Sequence, residues 1–336
     1  MSWNETLLFF KESPYQRIAF FTEKDGSFSL TLNDFWQFNS NVEHIYHECL
    51  FTMPGLLPAK LENVLVLGGG DGLGARELLK YKSIKSIDLV DLDPEIIKFA
   101  KTNVFMKNLN KESFHDPKVN IIVTDAKEWL AKPPTKKYDL VIVDFPDPTD
   151  DMLWGLYTKK LYKQIASRLS KKGVVAIQSS TYNTRAYELI FARLSKVFPY
   201  LLGYHTGASH IFCGFFIASF NPIRIRRPIP PACKWISPDM INQILALPLY
   251  KTEKTKNPDK TIETKPGARL ASPQPVVNKI RSQMTERKNL GEEDSGYFAT
   301  EVLSEEEQTG GTLLMNPAVI AGIVAIIIAP LVLRFI

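Results

Sequence analysis

The chain has 336 residues, with 41 Lys and Arg against 36 Asp and Glu, a net charge of +5 and a pI of about 8.9. Its length gives one or two globular domains, and apolar and charged shares of 45% and 23% exclude global disorder, a collagen and a multi-span membrane protein. The charge is too mild to imply nucleic acid. The three cysteines (Cys49, Cys213, Cys233) are odd in number and lack CxxC spacing, which argues against a disulfide framework or a zinc site and fits a reducing compartment.

In chain order, residues 1–13 carry no basic n-region, and the apolar run 7–10 is too short for a signal peptide. Segments 16–22, 27–32 and 35–37 alternate like a small antiparallel sheet, placing an N-terminal β subdomain over 1–56. From 57 to 250 the pattern changes. β-rich runs at 63–67, 86–91, 119–123, 138–144 and 173–178 are separated by helical patterns at 73–81, 94–107, 126–131, 158–169 and 185–197. Asp93 and Thr158 stand where N-caps belong, with Pro94 in a first helical turn. Near-continuous Val/Ile/Leu strands alternating with helices specify a parallel sheet covered on both faces. The expected fold class is therefore α/β, a doubly wound Rossmann-like domain of the class I methyltransferase-like kind. Runs at 201–203 and 214–219 fit antiparallel edge strands.

Residues 251–312 are polar, basic at first (Lys251, Lys254, Lys256, Lys260) and acidic later (Glu292, Glu293, Asp294, Glu305, Glu306, Glu307), and read as a flexible charged linker. From Leu313 to Leu333 the only polar side chain is Asn316. About 20 apolar residues suffice to cross a bilayer, so 313–336 is expected to be a single C-terminal transmembrane helix that leaves the rest of the protein facing the cytoplasm.

In an open α/β sheet, ligands bind outside the carboxyl ends of the strands. The expected strands are followed there by Gly68-Gly69-Gly70-Asp71-Gly72, Asp91-Leu92-Asp93, Asp125-Ala126, Asp144-Phe145-Pro146-Asp147-Pro148 and Gln178-Ser179-Ser180. Each alone reads equally as a turn or cap; together they describe one crevice rimmed by carboxylates. Gly68 and Gly70 permit close backbone approach to a ligand. No GK[ST] follows, so the loop is not a P-loop, and Asp71 would repel a pyrophosphate while attracting an amine. Asp91 is placed to accept from a ribose diol, and Asp125-Ala126 fits an adenine edge. The pattern is an adenosine nucleoside with a cationic tail and no phosphates. An acidic loop favours decarboxylated S-adenosylmethionine over its parent, whose carboxylate Asp71 would oppose. Asp144 and Asp147, held by two prolines, suit an ammonium group and the proton that an attacking amine must lose.

These residues resemble the spermidine synthases, the polyamine aminopropyltransferases. The likeness runs from about 13 to 219 through SPYQRI (13–18), YHE (46–48), VLVLGGGDGLGARELLKY (64–81), LVDLDP (89–94), DAKEWL (125–130), YDLVIVDFPDP (138–148) and LYTKKLY (156–162). The PDP form is similar to the membrane-associated bacterial branch, whose members usually carry their helices before the enzyme domain rather than after it. The resemblance implies that Gln16, His47, Asp71, Asp91, Asp125 and Ala126 line the decarboxylated cofactor, a co-substrate with no prosthetic group beside it. It implies Asp144 as the catalytic carboxylate, Asp147 on an amine, Tyr46 and Gln178 as polyamine-positioning residues, no metal, and a homodimer through the N-terminal sheet. Two departures bear on the acceptor, expected to be an amine such as putrescine. Val42-Glu43-His44 stands where the family has an acidic pair, and in 209–215 an aromatic is missing near His210 while Cys213 replaces another. A methyltransferase and a non-catalytic membrane-tethered scaffold remain as alternative readings.

Overall fold

The computed structural model describes residues 6–208, 211–246 and 249–251. They lie in one compact unit. Four strands open the chain, β1 (Thr6–Glu12), β2 (Arg17–Thr22), β3 (Phe28–Leu32) and β4 (Phe35–Asn39), paired antiparallel in that order. A helical run follows: α1 (Glu43–His47), a π turn (Glu48–Thr52) and α2 (Met53–Gly55).

The large sheet then builds from β5 (Asn63–Gly68), β6 (Ser86–Asp91), β7 (Val119–Val123), β8 (Tyr138–Asp144), β9 (Leu169–Thr181), β10 (Tyr200–His205), β11 (Cys213–Ser219) and β12 (Leu249–Lys251). Its order is β12-β10-β11-β9-β8-β5-β6-β7. β5 to β9 are parallel, while β11 pairs antiparallel with β9 and β10 antiparallel with β11 and β12. The crossover helices are α3 (Leu73–Leu79), α4 (Pro94–Thr102), α5 (Val104–Asn110), α6 (Ala126–Ala131), α7 (Asp151–Trp154), α8 (Lys159–Arg168) and α9 (Arg185–Leu194), and α10 (Pro238–Ala246) precedes β12.

Alternation along the strands divides the core into two. Val64, Val66, Leu140 and Ile142 join Leu73, Leu78, Ile96 and Phe99 on one face. Leu65, Leu67, Val141 and Val143 join Leu130, Leu161, Ile165 and Ile190 on the other. Each such side chain contributes about 1.5–3 kcal/mol by burial, so the continuous Val/Ile/Leu strands are stable only with both faces covered. The small sheet packs on α4 through Phe9 and Phe20, whose rings lie 4.4 and 5.2 Å from that of Phe99.

The helix expected over 94–107 is two helices. Asn103 takes an extended conformation (φ −68°, ψ 128°), and its side chain accepts from the amides of Phe105 and Met106, capping α5 instead of continuing α4. β9 begins four residues earlier than expected, at Leu169, and its pairing with β8 slips between Tyr138 and Leu140. β1, α10 and β12 were not anticipated. Among the described residues no helix is long and apolar enough to cross a membrane; beyond Lys251, the linker expected over 251–312 and the span expected over 313–336 lie outside them.

Candidate functional site

The turn after β5 brings backbone against two carboxylates. Gly68 has φ +89°, and a Cβ there would sit 2.1 Å from the carbonyl oxygen of Asp144 on the neighbouring β8. A Cβ on Gly70 would sit 2.8 Å from Asp91 Oδ2 at the end of β6. Only glycine allows both approaches. Asp71 Oδ1 accepts from the Leu73 amide at 2.8 Å and so starts α3. Asn110 donates to the Asp71 carbonyl at 3.1 Å and Ser113 to the Gly72 carbonyl at 2.7 Å, holding the turn from behind.

At the end of β6, Asp91 Oδ1 accepts from the Asp93 amide at 3.0 Å. Burial pushes the Asp91 carboxyl up to about 6, with the charges of Asp71 and Asp93 adding to the rise. Asp93 caps α4 through Oδ1, which accepts from the Glu95 amide at 2.9 Å. Its other oxygen accepts from Gln16 Nε2 and Ser13 Oγ, both at 2.8 Å. Gln16 thus reaches the rim, but its amide nitrogen is committed to fastening the N-terminal sheet there. Asp125 Oδ1 caps α6 at 2.6 Å from the Lys127 amide, so the capping role that its position also permitted is realised. Ala126 is buried in the first turn behind it.

The most buried part of the site joins α1 to β8. Tyr46 donates its phenol to Asp144 Oδ1 at 2.5 Å. Burial raises the Asp144 carboxyl to about 6; the Tyr46 bond and His47 oppose the rise, and Asp71 and Asp91 add to it. His47 Nδ1 lies 2.7 Å from the Glu43 carbonyl and 2.9 Å from its carboxylate, and Nε2 lies 3.9 Å from Asp71 Oδ2. Burial alone would lower the imidazole, but Glu43 and Asp71 hold it up at about 9, so it is charged at neutral pH. Burial would raise Glu43, yet His47 and a two-pronged contact from Arg76, at 2.8 Å on each oxygen, hold it down at about 2.

The second carboxylate pocket spans the ends of β8 and β9. Asp147 accepts from Gln178 Nε2 and, at 3.0 Å, from Ser180 Oγ; burial raises its carboxyl, with both bonds opposing. Tyr157 sets the amide's direction. Its phenol donates among the Gln178 Oε1 (3.1 Å) and the Pro146 carbonyl (2.9 Å), turning the Gln178 nitrogen toward Asp147. Ser180 has φ +64°, a left-handed conformation uncommon outside glycine and a local strain at this rim. The half-buried Cys213 thiol stands beside these groups and is pushed up to about 12, by burial first and then by Asp147 and Asp144. Ser209 and His210 of the departing loop lie outside the described residues, while Phe212 is exposed.

The structure therefore gathers Tyr46, His47, Gly68, Gly70, Asp71, Asp91, Asp144, Asp147 and Gln178 at the carboxyl ends of β5, β6, β8 and β9, with Gln16, Asp125 and Ala126 at their margin. Glu43, Arg76, Tyr157 and Ser180 were missed. Tyr157 lies inside the LYTKKLY run, and Glu43 precedes His47 by one helical turn. Both spacings were legible signals. Among the described residues no cluster of His, Cys, Asp or Glu is arranged to hold a metal ion.

The chain matches the spermine/spermidine synthase domain over residues 43–207. It is 33% identical over 254 residues to a polyamine aminopropyltransferase of Leptospira interrogans, covering 73% of this chain and 50% of that protein. It is 30% identical over 198 residues to a polyamine aminopropyltransferase of Prochlorococcus marinus, covering 59% of this chain and 67% of that one. The chain thus spans about half the length of relatives such as the Leptospira protein. The crystal structure of a spermidine synthase in complex with the transition-state analogue AdoDATO superposes with a TM-score of 0.66 at 26% identity, over 72% of this chain and 85% of that one.

Proposed function

Since the chain belongs to the spermine/spermidine synthase family, we propose that it moves the aminopropyl group of decarboxylated S-adenosylmethionine to an amine such as putrescine, releasing 5′-methylthioadenosine. One observation carries the reading. Asp144 and Asp147 are two half-buried carboxylates at adjoining strand ends, each raised by partial burial, and neither has a Lys or Arg at ion-pair distance among the described residues. Such groups are poised for a cation that the protein does not itself supply.

Each group then has a role. Asp91 takes the ribose hydroxyls, Asp71 and the glycine turn the tail of the nucleoside, and Asp125, Ala126 and Gln16 the outer edge of its base. His47, charged and held by Glu43, orients Asp71. Asp147, aligned by Gln178 and Ser180, holds the acceptor's ammonium, and Tyr46 positions Asp144. An alkylammonium titrates near 10, so only about one amine in a thousand is neutral at pH 7. Its proton passes to Asp144 as the nitrogen–carbon bond forms; the carbon–sulfur bond breaks and its electron pair returns to sulfur. The step needs alignment and charge placement, not a covalent intermediate.

The wider organisation completes the proposal. The apolar run 313–333, with Asn316 its only polar side chain, supports a C-terminal anchor after a charged linker, with residues 57–250 as the catalytic domain on the cytoplasmic side. Exposed Leu7 and Phe10 on the edge strand β1 support a homodimer through the N-terminal sheet. The test incubates the full chain with decarboxylated S-adenosylmethionine and a panel of diamines and polyamines, following products by mass spectrometry. 5′-Methylthioadenosine that appears only with a particular amine, together with its aminopropyl adduct, is expected. Nucleoside binding with no adduct from any amine would refute it.

A further inference from the structure

The amino ends of the strands, opposite the carboxylate rim, carry a face of the other charge. A shallow depression there is lined by Lys60, Lys137, Lys171 and Lys172, and a neighbour that shares Lys172 is lined by Arg224 and Arg226. All six of these side chains are exposed. The surface is continuous, because Asn221 Nδ2 donates to the Lys171 carbonyl at 2.9 Å and Arg227 clamps the carbonyls of Pro58 and Ala59 at 3.0 and 3.2 Å. The two carboxylates of this face do not cancel it. Glu62 is shared between Lys60 at 2.9 Å and Lys85 at 3.2 Å. Asp139 is buried, with its oxygens taken by the Glu62 and Asn63 amides and by Ser170. Beside the cations, Phe220 leaves the end of β11 with 47% of its surface exposed.

We propose that this basic face docks on an anionic lipid surface, so that the candidate site, at the other end of the same strands, faces away from the bilayer. Lysine and arginine on a shallow surface, bordered by an exposed aromatic, match a headgroup layer. The same chain carries the apolar run 313–333, which favours lipid over nucleic acid as the occupant. That choice of occupant rests on the proposed anchor; the basic face itself does not.

The test uses the full chain with vesicles of phosphatidylcholine alone or mixed with phosphatidylglycerol, and reads lysine acylation by mass spectrometry. Flotation with the neutral vesicles reports the anchor separately. On anionic vesicles Lys60, Lys171 and Lys172 are expected to react about fivefold or more slowly than on neutral ones, with the protection lost in high salt and Lys159, at the start of α8, unchanged. The K171Q/K172Q/R226Q variant, read at its remaining Lys60, abolishes the difference while keeping its turnover in solution. Equal reactivity on both vesicle types would overturn the proposal, whatever the flotation shows. So would protection without vesicles that salt releases, which would assign the face to the acidic stretch at 292–307.

Discussion

Replacing Asp144 by Asn separates catalysis from folding. The carboxyl is half-buried and pushed up to about 6 from 3.8. Because the folded value lies above the unfolded one, the folded state takes up a proton first, and wild-type stability rises as pH falls from 7 through 6 toward 3.8. Holding the group ionised at pH 7 costs about 3 kcal/mol at 1.36 kcal/mol per pH unit. Asn keeps an Oδ1 to accept from Tyr46, now 2.5 Å away, and carries no charge to desolvate. D144N is therefore expected to lose adduct formation by at least about a thousandfold while gaining about 1–3 kcal/mol of stability at pH 7. The gain should shrink toward zero near pH 4. Urea unfolding at pH 7 and pH 4.5 reads the stability, and 5′-methylthioadenosine release reads the chemistry. A variant that is destabilised at both pH values would make Asp144 a structural group and refute the reasoning; near wild-type turnover would remove its catalytic role.

Tyr46→Phe deletes a bond that holds Asp144 down, so the acid limb of kcat/KM should move up from about 6, with turnover at pH 8 largely retained; an unmoved limb would detach Tyr46 from Asp144. Asp147→Asn should raise KM for the amine about 10–100-fold, the worth of a charged hydrogen bond, and leave KM for the nucleoside unchanged. His47 folds with its titration raised from 6.5 to about 9, so its contribution is complete below pH 6.5 and is lost as pH rises through 9. The unfolding free energy from urea titrations should accordingly fall between pH 7 and 10, by up to about 3 kcal/mol, and less so in Glu43→Gln. Binding of the cationic nucleoside should release about one proton at pH 6 and almost none at pH 8, as Asp91 and Asp144 ionise; calorimetry in buffers of different ionisation enthalpy would show otherwise if either carboxyl were already charged.

The parallel strands were legible because their chemistry is one-dimensional. The runs at 86–91, 119–123 and 138–144 are Val/Ile/Leu-rich and bounded by turn residues, and they coincide with β6, β7 and β8. Local competition hid the break at Asn103, whose side chain offers the backbone an alternative to the helix. The segment after β11 was opaque for another reason. It carries Pro222, Pro228, Pro230 and Pro231, which suppress any period, and it is held instead by long-range bonds. Glu48, buried in the π turn, accepts from the amides of Lys234, Trp235 and Ile236 at 2.7–2.9 Å. The site divides in the same way. Asp71, Asp91 and Asp144 follow strands and were readable from topology, whereas Arg76 on Glu43 joins residues 33 apart. Tyr157 on Gln178 becomes visible only once β8 and β9 are neighbours.

The buried charges form two groups with different logic. Glu43, His47, Asp71 and Arg76 are mutually compensated, and their directions follow from one another: Glu43 held down, His47 held up. Asp91, Asp144 and Asp147 are not compensated, and burial raises all three. Partial burial disfavours the ionised form of each of these groups. Their presence is intelligible if the missing cation belongs to the substrates. In the proposed reaction a sulfonium and an ammonium enter, and the sulfonium charge vanishes as the carbon–sulfur bond breaks. In the same step a proton arrives on Asp144. The buried site therefore keeps its net charge through the displacement, and low dielectric, which would penalise any separation of charge, instead favours the concerted path. The compensated group provides the fixed frame for that exchange, since His47 stays charged beside Asp71 throughout.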